Sequence, residues 1–171
     1  MTSPGDATAT LDAIDVFDGV ASVTCGDVVL LLWKSPARKA RIERVAERLH
    51  ALLTEQPDLV VCQFLLAGAS PPDREGRVVA RREALLLASR IRCAVMVPLG
   101  NSIWQAVVRS ILRAAVRIAG HAERLKIAAS EGEALDAITR VATPRSGSRE
   151  QWASALEAMY TSLDLGDGRR P

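Results

Sequence analysis

The stretch VASVTCGDVVLLLWKSP, residues 20–36, decides how the rest of the chain is read. Val20 to Cys25 reads as a strand, Gly26-Asp27 carries turn chemistry, and Val28 to Trp33 is a continuous apolar run. Two strands split by a glycine–acid pair predict a β-hairpin. The second strand has no polar face, which suits a sheet covered on both sides. The stretch closes on Ser35-Pro36, where serine can cap free N–H groups and proline fits a first helical position. A long helix is therefore expected from Ser35. Its Ile42, Val45, Ala46, Leu49, Leu52 and Leu53 fall at helical spacing, opposite a polar side rich in Arg and Lys.

The alternation continues to the end of the chain. Residues 59–66 (LVVCQFLL) predict a buried strand closed by Ala67-Gly68-Ala69-Ser70-Pro71-Pro72, and a second helix runs from about Asp73 to Arg90. A short strand, residues 94–97, ends at Pro98-Leu99-Gly100-Asn101. Ser102 with Gln105 predicts a capping box for a third helix that is apolar over a wide arc. Gly120 stops it, residues 125–129 predict the last strand, and Ser130 with Glu133 caps a fourth helix. Residues 143–148 (TPRSGS) read as a linker to a final helix, 149–163, whose one face carries Trp152, Leu156, Met159, Tyr160 and Leu163. Residues 1–10 and 164–171 read as loose tails flanking one domain over 11–142. The order β-β-α-β-α-β-α-β-α plus one appended helix implies an α/β domain with a mainly parallel sheet.

Composition bounds what such a domain can do. The chain has 171 residues, 49% of them hydrophobic but only 4% aromatic, so Leu, Val, Ile and Ala must build the core. Twenty-two basic against 20 acidic residues leave a charge of +2, too small to imply nucleic acid. The distribution is uneven. Residues 1–27 hold five acids and no Lys or Arg, while 34–50 and 74–92 each hold six bases against two acids. Cys25, Cys62 and Cys93 are far apart and odd in number, which fits a reducing compartment and predicts buried thiols. The start MTSPGDATAT has neither a basic region nor an apolar run, and no apolar stretch is long enough to span a membrane. A cytoplasmic protein without membrane insertion is expected.

The last third carries a resemblance. Arg109-Ser110-Ile111-Leu112 with Ala119-Gly120, then Leu125-Lys126-Ile127, then Ser130 with Glu133-Ala134-Leu135, are similar to the ending of the STAS domain. That is the fold of anti-sigma-factor antagonists and of sulfate-transporter cytoplasmic tails, and the likeness of order covers about 20–142. The resemblance implies a regulatory, protein-binding module of the bacterial signalling type. The family's strand-ending Asp-Ser-Ser-Gly turn, whose second serine is phosphorylated, is replaced here by Asp73-Arg74-Glu75-Gly76. Glu75 then stands where the phosphoserine would be, with a fixed charge of the same sign. Gln63 stands where the family has an aspartate in the preceding strand, and Ser70 is the only nearby hydroxyl.

Two places could receive a partner. The turn with Ser70, Asp73, Arg74, Glu75 and Arg77 lies where a strand's carboxyl end meets a helix start, the edge at which ligands gather in open α/β sheets. Gly100, Asn101 and Ser102 form a second such place, and Arg109, Arg113 and Arg117 recur every fourth residue along the third helix as an anion-binding stripe. The leading expectation is a non-catalytic module that binds another protein at the 70–76 turn. It could also self-associate through the third or C-terminal helix. The alternative is a small-molecule or anionic-lipid binder, or an enzyme, with a pocket between the Ser70 and Gly100 loops; SEC14-like lipid carriers share a related strand–helix order. His50 and His121 have no neighbours in sequence that imply a triad or metal site, so no catalytic residue, metal or cofactor is expected.

Overall fold

The computed structural model describes residues 12–119 and 123–165, the side chains of Ser102, Leu112, Pro144 and residues 114–119 excepted. Three antiparallel strands, β1 (Asp15–Phe17), β2 (Val20–Cys25) and β3 (Val28–Trp33), lead into the parallel strands β4 (Leu59–Leu65), β5 (Ile91–Pro98) and β6 (Leu125–Ile127). The sheet order is β1-β2-β3-β4-β5-β6, so each strand lies beside its neighbour in sequence. The expected hairpin is extended by β1, because Asp18-Gly19 makes a second tight turn, with φ of +45° and +77°. The α/β architecture, the mainly parallel sheet and the N-terminal hairpin are those expected.

Helices α1 (Lys39–Glu55), α2 (Arg74–Ala88) and α3 (Ser102–Ala119) make the three crossovers between parallel strands. Right-handed crossovers in a sheet that grows in one direction put all three on the same face. Beneath them lie Val29, Leu31, Leu59 and Val61, packed against Ile42, Val45, Leu49 and Leu53 of α1 and Val79 and Leu87 of α2. The other face carries α4 (Glu131–Thr139) and α5 (Arg149–Ser162) over Leu30, Leu32, Cys62, Phe64 and Val95. Strands covered on both faces explain why residues 28–33 are apolar throughout; Val28 to Leu32 are wholly buried. Cys25, Cys62 and Cys93 are free and buried.

Two helix starts differ from expectation. α1 begins at Lys39, with Arg38 as N-cap and no side-chain cap. Ser35 is committed elsewhere: a Cβ on Gly19 would fall 2.1 Å from its Oγ, and Lys34 N donates to Gly19 O at 2.9 Å. The Ser35-Pro36 segment therefore seals the β1–β2 turn instead of opening the helix, and Arg41 fastens it by donating to Pro36 O and pairing with Asp18 at 2.7 Å. In α3 the cap is one residue earlier than expected. Asn101 Oδ1 accepts from Trp104 N at 2.8 Å, and Gln105 Nε2 donates to Gly100 O at 3.1 Å.

The C-terminal helix completes the core of its own chain. Ser148 and Gln151 form a capping box, and Trp152, Leu156, Met159 and Tyr160 are all buried. Trp152 Nε1 donates to Ser146 O at 2.7 Å, and the Tyr160 hydroxyl donates to Glu131 on α4. Lys34 Nζ donates to Leu163 O at 2.7 Å, placing a cation at the carboxyl end of α5. Removing a buried indole leaves both a cavity and an unpaired carbonyl. Trp152→Ala is expected to lower unfolding stability by about 3–5 kcal/mol in denaturant titration. Tyr160 gives a second check. Burial first, then the Glu131 hydrogen bond, push its phenol above the ordinary value of 10.0. A raised folded value means that its stabilisation is complete below that pH and is lost as pH rises beyond it. Tyr160→Phe should flatten the decline in stability measured above pH 10.0.

Candidate functional site

The turn between β4 and α2 is built to be firm. Ala69 N donates to Leu66 O at 2.8 Å, and Ala37 N to Ser70 O at 3.4 Å, tying the turn to the segment before α1. A Cβ on Gly68 would meet Lys34 O at 2.5 Å, and one on Gly76 would meet Ala37 O at 2.9 Å, so the backbones touch where side chains would not fit. Asp73 is the N-cap of α2, its Oδ1 accepting from Gly76 N at 2.8 Å. Ser70, Asp73, Arg74, Glu75 and Arg77 are all exposed on this scaffold. Their carboxylates differ in role: Asp73 is spent on the cap, while Glu75 projects from the first turn of α2. Gln63, in the preceding strand, accepts a hydrogen bond from Trp33 Nε1 at 3.1 Å and so bridges β3 and β4.

The second place lies beside the first. Gly100 has φ of +134°, and a Cβ there would come within 3.0 Å of the Ala67 Cβ, so the two loops press together at this point. Asn101 is exposed and capping, while the side chain of Ser102 lies outside the described residues. The arginine stripe divides. Arg109 turns to its own helix and the β6–α4 loop, with Nη2 3.3 Å from Gln105 Oε1 and 3.5 Å from Ala129 O. Arg113 is exposed, and the Arg117 side chain lies outside the described residues, as does His121.

Two polar clusters are brought together that local sequence could not signal. Between α1 and α2, His50 Nε2 lies 3.0 Å from Glu83 Oε2, and Arg90 Nη1 lies 3.3 Å from His50 Nδ1. The ring therefore has a guanidinium at Nδ1 and a carboxylate at Nε2. The imidazole thus spends both nitrogens on holding two helices together, beside an open cavity of about 360 Å³ lined by Glu43, Glu47, Arg82 and Leu86. Their partners are 33 residues apart, beyond the reach of any local spacing.

The second cluster lies at the opposite end of the strands from the two loops. Asp27, in the hairpin turn, is 3% exposed; it accepts from Ser146 Oγ and from Arg92 Nη1, the latter at 2.6 Å. Arg92 also donates to Val141 O at 3.0 Å. A cavity of about 410 Å³ opens beside it, lined by Asp27, Gln56, Pro57, Arg92, Thr143 and Arg145. Its buried carboxylate is already paired, so its evident work is structural. Among the described residues no group of His, Cys, Asp and Glu has metal-binding geometry, and no helix is long and apolar enough to cross a membrane.

The His50–Glu83 contact has a pH signature. The His50 hydrogen bond, aided by Arg82 and opposed by burial, holds the Glu83 carboxyl below its ordinary value of 4.5. A lowered folded value means that this stabilisation is present above that pH and is lost as pH falls through the folded value. Stability measured below pH 4.5 should therefore fall less steeply in Glu83→Gln than in the parent chain. Comparison with protein-family models, with curated proteins and with solved structures finds no match to this chain.

Proposed function

We propose that this chain is a non-catalytic, STAS-like regulatory module of the cytoplasm that binds a partner protein through residues 70–76 and the start of α2. The observation that carries this reading is the exposed, firmly held first turn of α2. Arg74, Glu75 and Arg77 project from a backbone fixed by the Asp73 cap and by the contact of Gly76 with Ala37. A rigid element presenting mixed charge loses little entropy on binding, which favours recognition at low cost. Glu75 supplies a permanent negative charge where switchable relatives of the resembled family carry phosphate. The module is then constitutively competent for its partner, with no kinase step at this position.

Charge reversal at Glu75 tests this directly. Loss of a carboxylate from an exposed helix start costs only about 0.3–1 kcal/mol, too little to unfold the domain. Glu75→Lys is expected to fold with an unchanged circular dichroism spectrum and to lose the partner proteins that the parent chain captures from cytoplasmic extract. A folded variant that retains the whole set removes the proposal. Loss of a bound small molecule instead would favour a ligand pocket at the two loops.

A further inference from the structure

Large aliphatic side chains stand exposed on two adjacent helices of one sheet face. On α2 these are Val78, 68% exposed, and Leu85; on α3 they are Ile103, 76% exposed, Val107 and Ile111. Scattered singly, such residues would need no explanation. Here they are aligned. Ile103, Val107 and Ile111 recur every fourth residue and form one line along α3, and Val78 and Leu85 lie two turns apart on the outer line of α2. The line on α3 turns toward α2. Arg109 reaches Ala129 beyond β6, and Val107, two residues away, lies roughly 200° round the helix from it. The two helices touch, so both aliphatic lines lie on one exposed face of the domain, the α2–α3 patch.

The rim of the patch is basic. Arg74 and Arg81 share the outer line of α2 with Val78 and Leu85, and Arg113 is exposed on α3. Residues 102–119 contain three arginines and no acid. Glu75 is the acid exposed at the near end of α2. A second copy of the chain would set these arginines against their own kind. Residues 1–11 and 166–171 hold one acid each, Asp6 and Asp167, few to set against the arginines of the rim. A lipid surface is usually met by aromatic anchors, and the exposed large hydrophobics among the described residues are all aliphatic.

We propose that this α2–α3 patch receives an acidic amphipathic helix of a partner protein, its apolar face on the aliphatic lines and its carboxylates among Arg74, Arg81 and Arg113. This is recognition of an amphipathic helix through its apolar face, with charge setting orientation and partner choice. It rests on the partner-binding reading and gives that partner a chemistry. The turn at Glu75 and the patch would be touched by different parts of it.

The test uses a labelled helical peptide of about 18 residues, leucine on one face and glutamate on the other, together with its lysine counterpart. Anisotropy titration of the full chain should give binding of the acidic peptide that weakens as salt rises, with the lysine peptide much weaker. Val107→Glu and Leu85→Glu, folded by circular dichroism, should each raise Kd about tenfold or more. Glu75→Lys should leave peptide binding intact or tighten it, since it adds a cation at the rim. Absence of acidic-peptide binding, equal binding of both peptides, or unchanged affinity in both patch variants would overturn the proposal. So would retention on phosphatidylserine vesicles in place of the peptide. Peptide binding lost only in the patch variants, with partner capture intact in Glu75→Lys, would keep the patch and remove the turn.

Discussion

Much of the molecule hangs on one buried carboxylate. Asp27 sits in the turn between β2 and β3, where its side chain takes hydrogen bonds from Ser146 and Arg92 and its backbone oxygen accepts from Val60 N at 2.8 Å. Gln56, with its amide turned to satisfy both groups, donates to Gly26 O at 3.1 Å and accepts from Asp27 N at 3.2 Å. The hairpin, the end of α1, the starts of β4 and β5 and the connection before α5 thus meet at a single residue. An ionised group this deep is tolerable only when its oxygens are paired, and here both are. Gly26 makes the approach possible: its φ is +56°, and a Cβ would come 2.7 Å from Arg145 O. Ser146, fixed below by Asp27, presents its carbonyl to Trp152 above, so the polar knot also sets the position of the largest buried side chain.

The two faces of the sheet are finished differently. Under α4 and α5 the cover is dense, with Ala134, Ile138, Trp152, Met159 and Tyr160 all buried. On the other face the described cover comes chiefly from α1 and α2. α1 buries six side chains and α2 four residues, while Val108 is the large side chain of α3 described as buried. The sheet is short at both edges, β1 and β6 having three residues each.

The strands were legible because burial on both faces turns a strand into an unbroken apolar run, as at residues 28–33 and 59–66. The Ser130 cap was legible because a capping side chain serves an N–H group only three residues on. Legibility failed where a side chain's partner was distant. Ser35 carries a capping signature yet packs on Gly19, and the α3 frame moved by one residue because Asn101 caps as well as serine does. His50 and Glu83, or Asp27 and Ser146, are joined by tertiary structure alone, across 33 and 119 residues. The exposed turn at 70–76 could be located from strand and helix boundaries. The patch could not, because an apolar arc on a helix does not reveal how much of it the core will cover.

The strand order has a consequence for how the chain is made. Because every strand pairs with its sequence neighbour, the sheet can lengthen one crossover at a time as synthesis proceeds, each step closing a short loop. The α1–α3 side is clothed as it forms. The opposite side is not: Leu30, Cys62, Phe64 and Val95 wait for α4 and α5, which belong to the last third of the chain. A nascent chain halted before Ser146 would carry a finished sheet with one hydrophobic wall covered by α4 alone, and an Asp27 held by Arg92 but lacking its bond from Ser146. The contact that closes the fold is therefore also the one whose delay leaves the greatest surface open to chaperones or to aggregation.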